Sequence, residues 1–300
     1  QQIIDESDQK AQFILTGSNN FLLQQNITQS LAGRVGYLHL LPFSLSEIQD
    51  VAPAQIHELL FKGFYPPLYD QNFEIQKWLS NYIKTYLEKD VRQLRSIENL
   101  VVFEKFLKLC AGRVGQLFNK NALALETGVD SKTIESWIGV LEASFIVLRL
   151  QPHHKNFNKR IVKMPKLYFY DVGLASALLG VQEAKQLEFH PFKGNLFENM
   201  VIIELLKQRL NTGKANNLYF WRNSKGNEVD VIIDNFDHLI PVEIKVGKTI
   251  TQEYFKGLNY WNKLTNTSGG KVIYGGEGYQ KRSQDLEVIP FEALTDIKLV

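Results

Sequence analysis

A single cysteine, Cys110, stands in 300 residues. That excludes any disulfide within the chain and any cysteine-rich zinc site. So little cysteine suits a reducing compartment, and a cytoplasmic location is expected. Cys110 lies in the apolar run Phe106-Leu107-Lys108-Leu109-Cys110-Ala111, where a buried structural thiol is expected rather than a nucleophile. No stretch reaches the roughly 18–20 uninterrupted apolar residues that span a bilayer, so no membrane partner is expected. Nor does one sign of charge dominate: 34 Lys and Arg face 32 Asp and Glu, for a net charge of +2. This balance argues against a chain-wide polyanion binder and leaves room for a local basic face. The chain opens Gln1-Gln2-Ile3-Ile4-Asp5-Glu6, without an initiator methionine. That start is too polar and acidic for a secretory signal. It reads as mid-helix sequence, so a piece of a longer chain is expected.

Apolar residues make up 44% of the chain, which is ordinary for a globular protein. The length implies two domains, or three small ones. The most informative stretch is Gly226 to Lys248: G-N-E-V-D-V-I-I-D, a polar turn Asn235-Phe236-Asp237-His238, then P-V-E-I-K-V-G-K. It reads as two β-branched strands joined by a hairpin-like connection. Strand side chains alternate, so Glu243 and Lys245 share one face while Val242, Ile244 and Val246 share the other. With Asp230 on the neighbouring strand and the same face, two carboxylates and an ammonium would converge. Such a trio can hold Mg²⁺ and act on a phosphodiester. An alternating Glu/Lys strand is also what the solvated face of a half-buried sheet looks like.

Upstream, Phe192 to Leu206 reads as an amphipathic helix with Leu196, Met200, Ile203 and Leu206 on one side and Glu198 turned toward the sheet. Tyr219-Phe220-Trp221-Arg222 is an aromatic strand. A helix over residues 252–264 and a strand over 271–274 follow the two motif strands. This α-β-β-β-α-β order, with its G-x-E-V-D and V-E-I-K, resembles the core of the restriction-endonuclease-like nucleases. The resemblance assigns Asp230 and Glu243 as metal ligands and Lys245 as the group that positions water or stabilises charge. Glu198 becomes the accessory acid, and Gln252 a weaker candidate.

The N-terminal sixty residues carry three ordered motifs: I-L-T-G-S-N at residues 14–19, L-A-G-R at 31–34 and L-P-F-S-L-S-E-I at 41–48. Short apolar strands are expected at residues 13–16 and 35–41, with Ser44 and Glu47 forming a capping box. Together the motifs resemble the second half of a bacterial AAA-type ATPase core. That resemblance implies Ser18 or Asn19 as the polar sensor beside a γ-phosphate and Arg34 as the arginine reporting on bound nucleotide. The alternative is a turn-forming Ser-Asn pair and a surface arginine. A P-loop needs G-x-x-x-x-G-K-[ST], and no such string occurs here. ATP is therefore expected only in a longer parent chain, and the missing N-terminal ATPase half is an expected partner. Gly275-Gly276-Glu277-Gly278 has no following lysine–threonine pair and reads as a turn. If the N-terminal sheet is a partial one, Ile14, Leu15, Leu38 and Leu40 are expected to be partly exposed or covered by another copy or domain.

Between these ends, apolar residues recur at helical spacing over residues 74–94 and again over 101–109. Gly63 to Pro67 reads as a rigid linker. Residues 123–127, the turn Gly128-Val129-Asp130 and a helix capped by Ser131 form a helix-turn-helix pattern. A strand over 145–150, a loop over 153–166 and a strand over 167–170 complete a winged-helix pattern. The loop holds five positive charges (Lys155, Lys159, Arg160, Lys163 and Lys166) and no acidic residue. Such a loop suits phosphate contacts with nucleic acid. The second helix begins Ser-Lys-Thr-Ile-Glu-Ser-Trp, with few side chains for reading bases, so protein docking stands beside nucleic-acid binding. His153 and His154 have no carboxylate or cysteine at ligand spacing nearby in the sequence, and no metal role is expected for them.

The fold class expected is α/β and α+β multidomain. Residues 1–62 would be a partial P-loop ATPase α/β remnant, 63–185 a helical and winged-helix domain, and 186–300 a restriction-endonuclease-like mixed sheet. Over nearly its whole length the chain resembles bacterial AAA-type ATPases that end in a restriction-endonuclease-like domain of unknown function. That resemblance implies a nucleic-acid-associated ATPase fragment carrying a nuclease-like domain. The alternatives are an active Mg²⁺-dependent nuclease and a non-catalytic module that binds DNA or docks protein. A homo-oligomer is compatible with the sequence.

Overall fold

A computed structural model describes residues 14, 36, 38–51, 55–86, 97, 99–153, 162–297 and 299. It is mixed α and β, with helices over the first part and a six-stranded mixed sheet at the C-terminal end. Ser18, Asn19 and Arg34 lie outside the described residues, as do Leu15, Lys155, Lys159 and Arg160. Ile14, Leu38 and Leu40 are exposed.

The helical part runs α1 (Ile56–Lys62), α2 (Pro67–Asp70), α3 (Ile75–Tyr86), α4 (Leu100–Ala111), α5 (Lys120–Thr127) and α6 (Ser131–Ala143). Asparagine begins two of these helices. Asn99 and Asn119 each accept hydrogen bonds from the second and third residues that follow, which satisfies otherwise orphaned N–H groups. At α6 the cap is Asp130 rather than the expected Ser131: its Oδ1 accepts from Lys132 N–H at 2.8 Å and Thr133 N–H at 2.9 Å. Asp130 has extended backbone angles, whereas Ser131 is already helical, so only Asp130 can reach back to those donors. Ser44 and Glu47 do not form the expected capping box: the Glu47 carboxylate accepts from both the Ser44 N–H and hydroxyl, while the Glu47 N–H donates to the Ser44 carbonyl, and the element that follows is a single 3₁₀ turn, Ser46–Ile48.

After α6, β1 (Val147–Leu150) pairs antiparallel with β2 (Lys166–Phe169), and α7 (Val172–Leu178) follows. The first of these strands begins later than expected because Phe145 has φ of +52°. Gly63, in the stretch expected as a rigid linker, forms a fixed turn against Asp171. Its φ is +69°, and a Cβ there would strike the Asp171 carboxylate and the Gly173 backbone, so only glycine fits this turn. Phe64 N–H donates to Asp171 Oδ2 at 2.6 Å, which bolts the end of α1 to the start of α7.

The longest helix among the described residues, α8 (Lys193–Asn211), was expected to be amphipathic; instead Leu196, Phe197, Met200, Val201, Ile202, Ile203, Leu205 and Leu206 are all buried. It packs against α1, α7, β2 and the sheet, so it has apolar neighbours on nearly every side. The sheet that follows has the strand order β3 (Leu218–Arg222), β4 (Glu228–Asp234), β5 (Leu239–Lys245), β6 (Gly270–Tyr274), β8 (Leu286–Pro290), β7 (Gln280–Lys281). β4 runs antiparallel to both of its neighbours, β3 and β5. Both β6 and β8 run parallel to β5, with α9 (Lys256–Thr265) as the β5–β6 crossover. The order α8-β3-β4-β5-α9-β6 is the one expected; β7 and β8 were not anticipated. A turn over residues 235–238 joins β4 to β5, closed by Asn235 N–H donating to the His238 carbonyl at 3.1 Å.

One apolar core runs from Leu45 through the helical part, along α8, to Val231, Ile233, Val242 and Ile244 on one sheet face. Cys110 is wholly buried within it, and burial pushes its thiol well above the usual range. A second, smaller core of Trp221, Val229, Ile232, Leu258 and Trp261 lies under α9 on the opposite face.

Candidate active site: a buried carboxylate and lysine cluster

Strand β5 is P-V-E-I-K. Val242 and Ile244 enter the larger core, which turns Glu243 and Lys245 toward α9. On β4 the pairing with β5 runs from Asp234 to Val231, opposite Val242, and Asp230 follows at the irregularity where the β3–β4 register shifts. The ammonium of Lys245 lies 3.0 Å from Asp230 Oδ2 and 2.6 Å from Glu243 Oε2. Asp230 Oδ2 also accepts from the Ile244 N–H at 2.8 Å, so the carboxylate holds the end of the β4–β5 ladder. The three side chains thus converge on one face.

Glu243 sits under Gly257 of α9, where any Cβ would overlap its Oε1 and the Glu228 carbonyl oxygen. That contact explains a glycine in the first turn of α9, away from any turn or loop.

Glu198 enters from α8. Its Oε1 accepts from Lys166 Nζ at 2.9 Å and from the Tyr168 hydroxyl at 2.5 Å, both from β2. Lys166 also lies 2.5 Å from Glu228 Oε1, and Arg222 lies 3.1 Å from Glu228 Oε2. Lys166 therefore does not serve as an exposed phosphate contact: its side chain is 3% exposed and is bound to two carboxylates. The basic-loop reading placed it at the end of a solvent loop, but β2 carries it inward. Lys163 remains exposed. Both ends of that loop meet β3: His153 N–H donates to the Phe220 carbonyl at 2.7 Å and Val162 N–H to the Arg222 carbonyl at 3.1 Å. Gln252 is exposed in the 3₁₀ turn Gln252–Phe255.

The charges are close enough to set one another. Burial raises the Asp230 carboxyl, but Lys245, Lys166 and the Ile244 N–H outweigh it and hold the group below its ordinary value. Burial and then the Asp230 charge push Glu243 well above the carboxylate range. Glu198 is raised by burial and by Asp230, against the pull of Lys166 and Tyr168. Both lysines remain charged: burial lowers each, but for Lys245 the Asp230 and Glu243 carboxylates, and for Lys166 chiefly Glu198, outweigh it. Facing carboxylates whose proton affinities are driven apart are a common feature of catalytic sites.

Among the described residues, no group of three or more His, Cys, Asp or Glu side chains is arranged to hold a metal ion. The pair Asp230 and Glu243 nevertheless offers hard oxygen donors. Mg²⁺ commonly binds through one or two carboxylates and keeps several waters, so the donor chemistry fits. Lys245 lies between these oxygens as a built-in counter-cation. Tyr168, Glu228, Arg222 and the inward role of Lys166 were missed from sequence. The alternation of Lys166 and Tyr168 on one strand was the available signal, and it carried no hint of Glu198.

Residues 1–49 match the family model of an AAA domain. Residues 53–185 match a domain of unknown function (DUF8612), and residues 193–294 match another (DUF4143). The uncharacterized protein Rv2008c of Mycobacterium tuberculosis is 30% identical over 294 residues, covering 97% of this chain and 65% of that protein. The uncharacterized protein Mb2031c of Mycobacterium bovis matches to the same extent. The uncharacterized protein MJ1544 of Methanocaldococcus jannaschii is 23% identical over 318 residues, covering 95% of this chain and 69% of that protein. The chain spans about two-thirds of the length of these relatives, 65% for the two mycobacterial proteins. No solved structure matches it. The AAA and DUF4143 matches are consistent with an AAA-type ATPase-like family. No described helix is long and apolar enough to cross a membrane.

Proposed function

We propose that this chain is the C-terminal part of an AAA-type ATPase whose last domain is restriction-endonuclease-like and cleaves phosphodiesters of nucleic acid with a divalent cation. The observation that carries the reading is the convergence of Asp230 and Glu243 on Lys245, at 3.0 and 2.6 Å. Asp230 and Glu243 would hold the cation, which when bound supplies Lewis-acid charge at the scissile phosphate. Lys245, released from its carboxylates, is placed to stabilise negative charge developing there. Glu198 adds an acidic group in the field of Asp230. In this reading the α4–α6 helices and the β1–β2 hairpin form a winged helix. His153 and Val162, on either side of the basic stretch, both donate to main-chain carbonyls of β3, and the exposed Lys163 follows directly.

The test is cleavage of supercoiled plasmid and of single-stranded DNA with Mn²⁺ or Mg²⁺, comparing the protein with its Asp230→Asn variant. Cleavage is expected from the unaltered chain and not from the variant or under chelation. Cleavage that survives the substitution would place the activity elsewhere.

A second reading has its own support. Asp230 and Glu243 are buried, and Lys245 already neutralises them. A non-catalytic module that binds DNA or docks protein would keep such a cluster for stability. It predicts no cleavage, and salt-sensitive DNA binding separates the two forms of this reading.

A further inference from the structure

We infer that Lys166 is a positioning residue of the carboxylate site, acting through Glu198, and that the site is complete only when both stretches matching domains of unknown function are present. The inference rests on the metal-holding reading of Asp230 and Glu243. Lys166 and Tyr168 belong to the stretch matching the first of these domains, while Glu198, Glu228, Asp230, Glu243 and Lys245 belong to the second. Both β2 side chains donate to the same oxygen, Glu198 Oε1, at 2.9 and 2.5 Å. An oxygen held by two donors from one strand has little rotational freedom left.

The scaffold under this contact is rigid. Asn199, the next residue after Glu198, hydrogen-bonds both main-chain groups of Phe169. Gly115 N–H donates to the Leu167 carbonyl at 2.8 Å, and Leu167 N–H donates to the Gln116 carbonyl at 3.0 Å. Strand β2 therefore cannot shift without carrying Glu198 along. Lys166 also spans to Glu228 on β4, two residues from Asp230, so one ammonium ties α8 to the strand bearing the candidate ligand. The two carboxylates that this ammonium joins come from separate elements.

Outer partners that orient a metal site typically change its affinity about 10–100-fold when removed. The test is calorimetric titration of the full 300-residue chain with Mn²⁺, arranged as a double-mutant cycle. Lys166→Met and Glu198→Gln are each expected to weaken Mn²⁺ binding about tenfold. In the Glu198→Gln background, Lys166→Met is expected to add nothing, because its effect passes through Glu198. Additive losses, or no loss in Lys166→Met, would overturn the inference. Tyr168→Phe removes only a hydroxyl and repeats the cycle if Lys166→Met does not fold. It should weaken binding in the parent and be silent beside Glu198→Gln, and any other pattern also counts against the inference. If the unaltered chain binds no Mn²⁺, or Asp230→Asn leaves binding unchanged, the metal-holding reading itself falls.

Discussion

Asn199 on α8 holds Phe169 on β2 by both of its main-chain groups. Its Oδ1 accepts from the Phe169 N–H at 2.6 Å, and its Nδ2 donates to the Phe169 carbonyl at 2.9 Å. The side chain replaces a neighbouring strand, satisfying two strand groups that no water could reach.

Replacing Asn199 with Leu should therefore cost more than an ordinary core substitution. Two buried main-chain groups lose their partners, for a loss of about 3 kcal/mol. Urea unfolding measures it, and a loss within experimental error would show that the clamp is dispensable.

Gly257→Ala reverses the sign usual for a helix. In an open helix this change stabilises by about 1 kcal/mol. Here the new methyl would overlap the Glu243 carboxylate and the Glu228 carbonyl, and a loss of about 1–3 kcal/mol is expected. A rise in melting temperature would mean that α9 does not press on Glu243.

The pH dependence of stability should carry the mark of Glu243. Its folded pKa lies well above the ordinary carboxylate value of 4.5, from burial first and the Asp230 charge second. The folded state then holds a proton that the unfolded chain releases. Its contribution is full below pH 4.5 and is lost as pH rises toward the folded value. Glu243→Gln removes that decline. The variant should match the parent near pH 4.5 and gain on it as pH rises from there in thermal melts. Parallel profiles would place the proton elsewhere.

The chain carries no G-x-x-x-x-G-K-[ST] string. Calorimetric titration with Mg-ATP is accordingly expected to give no saturable micromolar isotherm. Such an isotherm would require phosphate contacts made by other residues.

Much of the C-terminal sheet was legible because its signals are local. Alternation over V-E-I-K assigns Glu243 and Lys245 to one face whatever surrounds them. Turn residues over 235–238 mark the join between β4 and β5. The strands β7 and β8 escaped notice: the pair over 280–281 is too short to show a period, and E-V-I-P at 287–290 ends in proline. For α8, the expected stripe proved to be part of a helix buried on nearly every side, because its surroundings come from residues more than a hundred positions away, such as Leu59 and Leu60.

By itself, the sequence determined that Asp230, Glu243 and Lys245 sit on adjacent strands with the periodicity to meet. It also determined that no disulfide and no P-loop string contribute. Only the tertiary structure decided what Lys166 does. In the sequence it closes a run of basic residues; in the fold it joins Glu198 to Glu228. The two faces of a strand are equivalent until something packs on one of them. Here β2 packs against α8, so a lysine that would otherwise face water is buried, and it keeps its charge because two carboxylates are there to meet it.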